Sequence, residues 1–230
     1  MTDWFLPRHV TQRTGTPCQF SNCWAAIGAW CHHAATGGTA SVTPEEFKAA
    51  AGGGSGGKNK VTGCSKGLET DIIAGLRKLG IDQAKLVRGV SVADAKKIFS
   101  QERRAVYAVA TDYDVWPVAK DCMNGTAGPD VNHMVGVICG GTMLTIENPL
   151  CTDYQQVGID KVLAAANKYA KQNGRSGLTL IRVPRPIPVT AVGDKRRIVE
   201  LEAELQNARE DLIEVNSILA TATAITAPYA

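Results

Sequence analysis

Apolar and polar residues alternate with two different periods along this chain, and the change of period separates its parts. An apolar run over Cys23–Ala35 (CWAAIGAWCHHAA) predicts a first helix, with Asn22 placed to cap it and Thr36-Gly37-Gly38 to end it. Thr43-Pro44-Glu45-Glu46-Phe47 opens a second with a Thr cap, Pro in the first turn and early acids. Residues 68–79 (LETDIIAGLRKL) give a third, stopped by Gly80, and Val92–Gln101 a fourth. Strand-like segments then dominate at 105–110, 133–139, 143–147 and 178–183, with a helix at Ile159–Gln172 before the last. Helices first and antiparallel strands second predict an α+β fold rather than a parallel doubly wound sheet.

The pattern changes again near residue 184. Pro184-Arg185-Pro186-Ile187-Pro188 predicts a stiff linker over 184–193. Beyond it, Ile198, Leu201, Leu205, Ala208, Leu212, Val215 and Leu219 step by three and four. That is an a/d seam over three heptads and predicts a coiled-coil helix at 194–220. Residues 221–230 carry no pattern, so the expected organisation is a main domain at 1–183, a linker, a coiled coil and a tail.

Composition narrows the classes. At 230 residues, 44% hydrophobic and 20% charged, the chain has material for one packed domain plus an appendage. A net charge of +3 argues against a charge-driven nucleic-acid or membrane binder, and no apolar run approaches the length of a membrane span. MTDWFLPRHV lacks the layout of a signal peptide, so synthesis in a cytoplasm is expected. Seven cysteines leave at least one thiol free or bonded to another chain. Cys18, Cys23, Cys31, His32 and His33 are dense in metal-ligating types, but no second short-spaced pair follows, so neither metal nor cofactor is expected. Gly52–Gly57 with Lys58 begins like a phosphate loop, yet Asn59 stands where a magnesium-holding hydroxyl belongs; a flexible surface loop is expected. His32 and His33 suit the negative end of the first helix as surface groups, and His9 has no partner visible in the sequence. Asp112, Asp114, Asp121 and Asp130 fall between strands, where they either rim a cleft or are solvated.

Three short segments carry candidate chemistry: Cys23-Trp24-Ala25-Ala26, Asn132-His133 and Asn148-Pro149. A thiol attacks carbonyls only as thiolate, and the positive end of a helix dipole at Cys23 is expected to favour that form. Gly140-Gly141 suits a two-residue hairpin turn, which would place His133 directly across from Asn148 on one face. An Asn oxygen there fixes one imidazole nitrogen and leaves the other for the thiol.

These segments, in this order, resemble the papain-like cysteine peptidase superfamily. They are most similar to its compact bacteriocin-leader-processing branch and to relatives in phage lysins and virion proteins. The resemblance spans about residues 5–183 and implies a papain-like fold, with Cys23 as nucleophile, His133 as general base then acid, and Asn148 as orienter. It also implies an oxyanion hole from the Cys23 N–H and a Gln side chain. The family places that Gln five or six residues before the nucleophile, whereas Gln19 is four before Cys23 and Gln12 eleven. Gln12 is six before Cys18, but no cap precedes Cys18 and the Cys-Trp-Ala-Ala match would be lost. Gln19 is therefore the expected donor, with Gln12 next.

The function this implies is hydrolysis of a peptide or amide bond through a thioester, without cofactor. With the coiled coil as tether to identical copies or a virion, the expectation is a phage-tail peptidase acting on the cross-linking peptide of peptidoglycan. Two alternatives stand beside it: an inert papain-like adaptor assembled through its coiled coil, and an acyl transferase using the same thioester.

Overall fold

In a computed structural model, residues 6–11, 22–58, 66–112 and 132–186 are described. Their elements are α1 (Cys23–Ala35), α2 (Pro44–Ala50), α3 (Glu69–Lys78), β1 (Lys85–Val90), α4 (Val92–Gln101), β2 (Ala105–Asp112), β3 (Asn132–Ile138), β4 (Met143–Glu147), β5 (Gln155–Gly158), α5 (Ile159–Gln172) and β6 (Leu178–Pro184). The expected coiled coil, and all but the first residues of the expected linker, lie outside the described residues.

The fold is α+β. Six strands form one antiparallel sheet in the order β1-β6-β2-β3-β4-β5. Both faces of its centre are covered, which is why β2 reads as an unbroken apolar run and is buried at every position. Tyr107, Val109, Val135 and Val137 point to the face packed by Phe99 of α4 and Val162 and Leu163 of α5. Val106, Ala108, Ala110, Met134 and Ile138 point to the other, where Trp24, Ile27 and Trp30 of α1 sit with Phe47, Ile72 and Leu76.

Local chemistry sets most helix ends. Thr43 Oγ1 accepts the Glu46 N–H at 3.2 Å while the Glu46 carboxylate accepts the Thr43 N–H at 2.7 Å, a closed capping box. Ser91 Oγ accepts the Asp94 N–H at 3.0 Å to begin α4. Asn22 behaves otherwise than expected: its side chain caps nothing and instead accepts from Lys48 Nζ at 3.4 Å. Packing holds α1 in place of a cap, because nearly every residue of the helix is buried.

Three expectations are corrected. β1 and β5 escaped the reading because both are edge strands with polar, partly exposed residues. The Gly-rich loop is not a free segment. The Gly56 N–H donates to Lys66 O at 2.9 Å, the Lys66 N–H to Gly57 O at 2.7 Å, and Asp71 accepts from Ser55. The β3–β4 hairpin is wider than a two-residue turn: Gly136 faces Glu147 and Ile138 faces Thr145. His133 is thus displaced by two positions from direct pairing with Asn148. A shift of two leaves both side chains on the same face, where a shift of one would have separated them.

The closest approach between two helices at a glycine is at Gly28, where a Cβ would stand 2.1 Å from the buried Phe47 ring. Gly28→Ala gains up to about 1 kcal/mol of helix propensity and loses about 1–3 kcal/mol to overpacking. The expected outcome is net destabilisation, read as a lower urea midpoint with an unchanged m-value; an unchanged or raised midpoint would refute this packing.

Candidate active site

The site lies where β4 ends beside β3. Pairing of β3 with β4 stops at Gly136–Glu147, while β3 itself runs back to Asn132. Cys23, the first residue of α1, sits at the stretch of β3 left unpaired on that side. The backbone N–H of Met134, the residue after His133, acts on its thiol along with those of Trp24 and Cys23 itself, each favouring the thiolate. Trp24 fixes the helix start from behind. Its indole is buried, and a Cβ at Gly67 would stand 2.0 Å from it, so the chain at Gly67 lies against the ring.

His133 and Asn148 meet: His133 Nε2 lies 2.9 Å from Asn148 Oδ1, both residues buried. The same Oδ1 also accepts the Leu150 N–H at 3.1 Å. That second bond fixes the amide, because a flipped Asn148 would set its NH2 against the Leu150 N–H, donor to donor. An acceptor is therefore held toward the imidazole, and in the neutral ring Nε2 carries the proton. Among the described residues Asn148 Nδ2 has no partner, which is what this orientation costs.

Protonation differs from expectation. Burial pushes the Cys23 thiol above its ordinary 9.0, overriding the opposing effect of the Met134 N–H in β3 and the two N–H groups at the helix start. Burial also holds His133 down at about 4, against the opposing effect of the Asn148 bond. Both shifts favour the uncharged thiol and the uncharged imidazole in the resting protein, and the helix dipole does not outweigh burial at Cys23.

Other residues singled out in the sequence have structural roles. His32 and His33 are buried rather than surface groups, and His33 Nδ1 accepts the Arg8 N–H at 2.9 Å, which a neutral ring does and an imidazolium cannot. Asp112 ends β2 and pairs with Lys168 of α5 at 3.0 Å. His9 does have a partner: it pairs with the buried Glu147 at 2.8 Å. Cys151 is disulfide-bonded, whereas Cys23, Cys31 and Cys139 are free, and of these three only Cys23 is partly exposed. Gln19, Gln12, Cys18, Asp114, Asp121 and Asp130 lie outside the described residues. The Met134 and Leu150 amides, which organise the site, gave no sequence signal, because any non-proline residue carries an N–H.

No family model matches the sequence, and no curated protein does. Among solved structures the chain matches a candidate C39-like peptidase from Bacillus anthracis at 13% identity and a TM-score of 0.48, over 80% of this chain and 96% of that one.

A histidine held at about 4 in the fold and at about 6.5 when unfolded makes the unfolded chain the better proton binder in that window. Stability from this group is complete above pH 6.5 and is lost on acidification toward 4, by on the order of 3 kcal/mol. Denaturant unfolding across pH 4–7 should show a shallower slope in His133→Gln than in wild type; parallel slopes would refute a neutral buried His133.

Proposed function

We propose that the domain is a cysteine peptidase or amidase in which Cys23 attacks, His133 moves the proton and Asn148 orients His133. The observation that carries this reading is the His133–Asn148 bond, locked by the Leu150 N–H, in a strand whose next amide acts on the Cys23 thiol. Because the resting pair is neutral, Nδ1 takes the thiol proton as the sulfur closes on the carbonyl, rather than beforehand. The imidazolium so formed protonates the leaving amine, and water, deprotonated by the same nitrogen, releases the acyl group from the thioester. The N–H of Cys23 and the side chain of Gln19, with Gln12 as the alternative, would hold the oxyanion.

The finer reading takes the substrate to be cross-linking peptide of peptidoglycan and the protein to be carried in a phage tail as an oligomer. Its support is the likeness of the three motifs to phage lysins and the a/d seam at Ile198–Leu219, both features of the sequence. The neutral resting pair favours one competitor, an inert scaffold of the same fold.

Purified bacterial sacculi and fluorescein-labelled casein are the probes. Wild type should release new amino termini from at least one of them, Cys23→Ala and His133→Ala from neither. Asn148→Ala removes a hydrogen bond to a ring that becomes charged, about 1.5–3 kcal/mol, so kcat should fall about 10- to 150-fold. Release that persists in Cys23→Ala, or none from wild type with Cys23 no faster toward iodoacetamide than Cys139, would remove the peptidase reading. The full chain should sediment as an oligomer and Leu205→Lys as a smaller species; identical sedimentation would remove the coiled-coil tether.

A further inference from the structure

Residues 6–11 cross over the turn that carries Asn148 and are fastened there by a set of polar contacts, beside the apolar packing of Val10. The Arg8 N–H donates to His33 Nδ1 at 2.9 Å, and Thr11 Oγ1 donates to Pro149 O at 3.3 Å. At the centre His9 uses both ring nitrogens. Nδ1 is 2.8 Å from Glu147 Oε2, and Nε2 is 2.8 Å from Cys151 O. The other carboxylate oxygen, Oε1, accepts the Val10 N–H at 3.0 Å. The Glu147 side chain is 0% exposed. Glu147 and Asn148 are consecutive, so one dipeptide turns one side chain to this strap and the next to His133.

The chemistry of the partners fixes the proton count. A carbonyl oxygen only accepts, so Nε2 must carry hydrogen toward Cys151. Nδ1 then either donates to a carboxylate or accepts from a carboxylic acid, and in both cases the pair keeps one proton. With Val10 N–H already on Oε1, the carboxylate with imidazolium is the form the contacts suit. Losing the proton would leave a buried anion facing the Nδ1 lone pair.

We propose that His9 and Glu147 form a one-proton latch that seats residues 6–11 across Asn148–Cys151 and thereby positions Asn148 for His133. Both are positioning residues; neither touches substrate. The latch itself stands apart from the peptidase reading, and only its effect on turnover rests on it. Of the groups facing the pair, Asp153, from the turn after β4, favours the retained proton; Tyr154, from the same turn, sets its ring edge-on to His9 with centroids 5.9 Å apart, and Cys31 comes from α1. Arg185, which faces Tyr154, is a further charge on this side. The Glu147 bond and charge hold His9 above its ordinary range although burial opposes it, so the latch is present at neutral pH and is lost as pH rises.

The test uses the full chain labelled with 15N, titrated from pH 6 to 10.5. Two-bond proton–nitrogen spectra read the ring nitrogens of His9 and His133, and the heteronuclear NOE of Val10 reads the order of the strap. Wild type should show His9 doubly protonated beyond the ordinary imidazole range. As that proton leaves, the Val10 NOE should drop and His133 should lose its single Nε2–H tautomer, with one midpoint for all three. Glu147→Gln supplies an uncharged isostere whose NH2 can donate to a neutral Nδ1 while its oxygen keeps the Val10 N–H. Its strap should stay ordered through the wild-type midpoint, whereas in His9→Ala it should be mobile throughout. A His9 with one protonated nitrogen at neutral pH, a Val10 NOE that ignores the wild-type titration, or an unchanged His133 tautomer while the strap opens would each overturn the proposal. None of these readouts needs activity, so an inactive Cys23 leaves them intact; if Glu147→Gln does not fold, the wild-type titration and His9→Ala still decide.

Discussion

The departure of β4 from β3 after Glu147 is the feature on which the site depends. While the two strands are paired, their backbone groups satisfy one another and both faces are filled by helices. Where pairing stops, the Met134 N–H is left to act on the Cys23 thiol, and the Leu150 N–H donates to Asn148 Oδ1. The site is built on backbone donors that a longer hairpin would have consumed.

The histidines show how far surroundings override intrinsic basicity. His133 is buried against an amide and stays neutral, held at about 4. His33 accepts an N–H and is therefore an uncharged acceptor at that nitrogen. His9 faces a carboxylate and a carbonyl and is shifted the other way. The same side chain has opposite outcomes: burial prevails at His133, while the facing carboxylate and carbonyl prevail at His9. For Cys23, desolvation outweighs a helix terminus that was expected to win, because dipole effects amount to about 1 kcal/mol and burial of a charge to several.

Much was legible in the sequence because it is local. Cys23–Ala35, Val92–Gln101 and Ile159–Gln172 are bounded as their periodic residues indicate, although Asn22 does not cap the first. The shared face of His133 and Asn148 was also legible, since side chains alternate with period two and survive a register error of two. What escaped were edge strands without a continuous apolar signal, the order of the Gly-rich loop, and the His9–Glu147 pair. The partners of that pair are 138 positions apart, and nothing in either neighbourhood announces the other.

The sequence by itself therefore determined the element types, most helix boundaries and the residue kinds available for thiol chemistry, since these follow from dihedral preference, capping and periodicity within a few residues. The tertiary structure alone decided which acceptor meets which donor and how much water each group loses. Those two quantities place the protons on Cys23, His133 and His9, and they come from segments of the chain that are distant in sequence and brought together only by burial of both faces of the sheet.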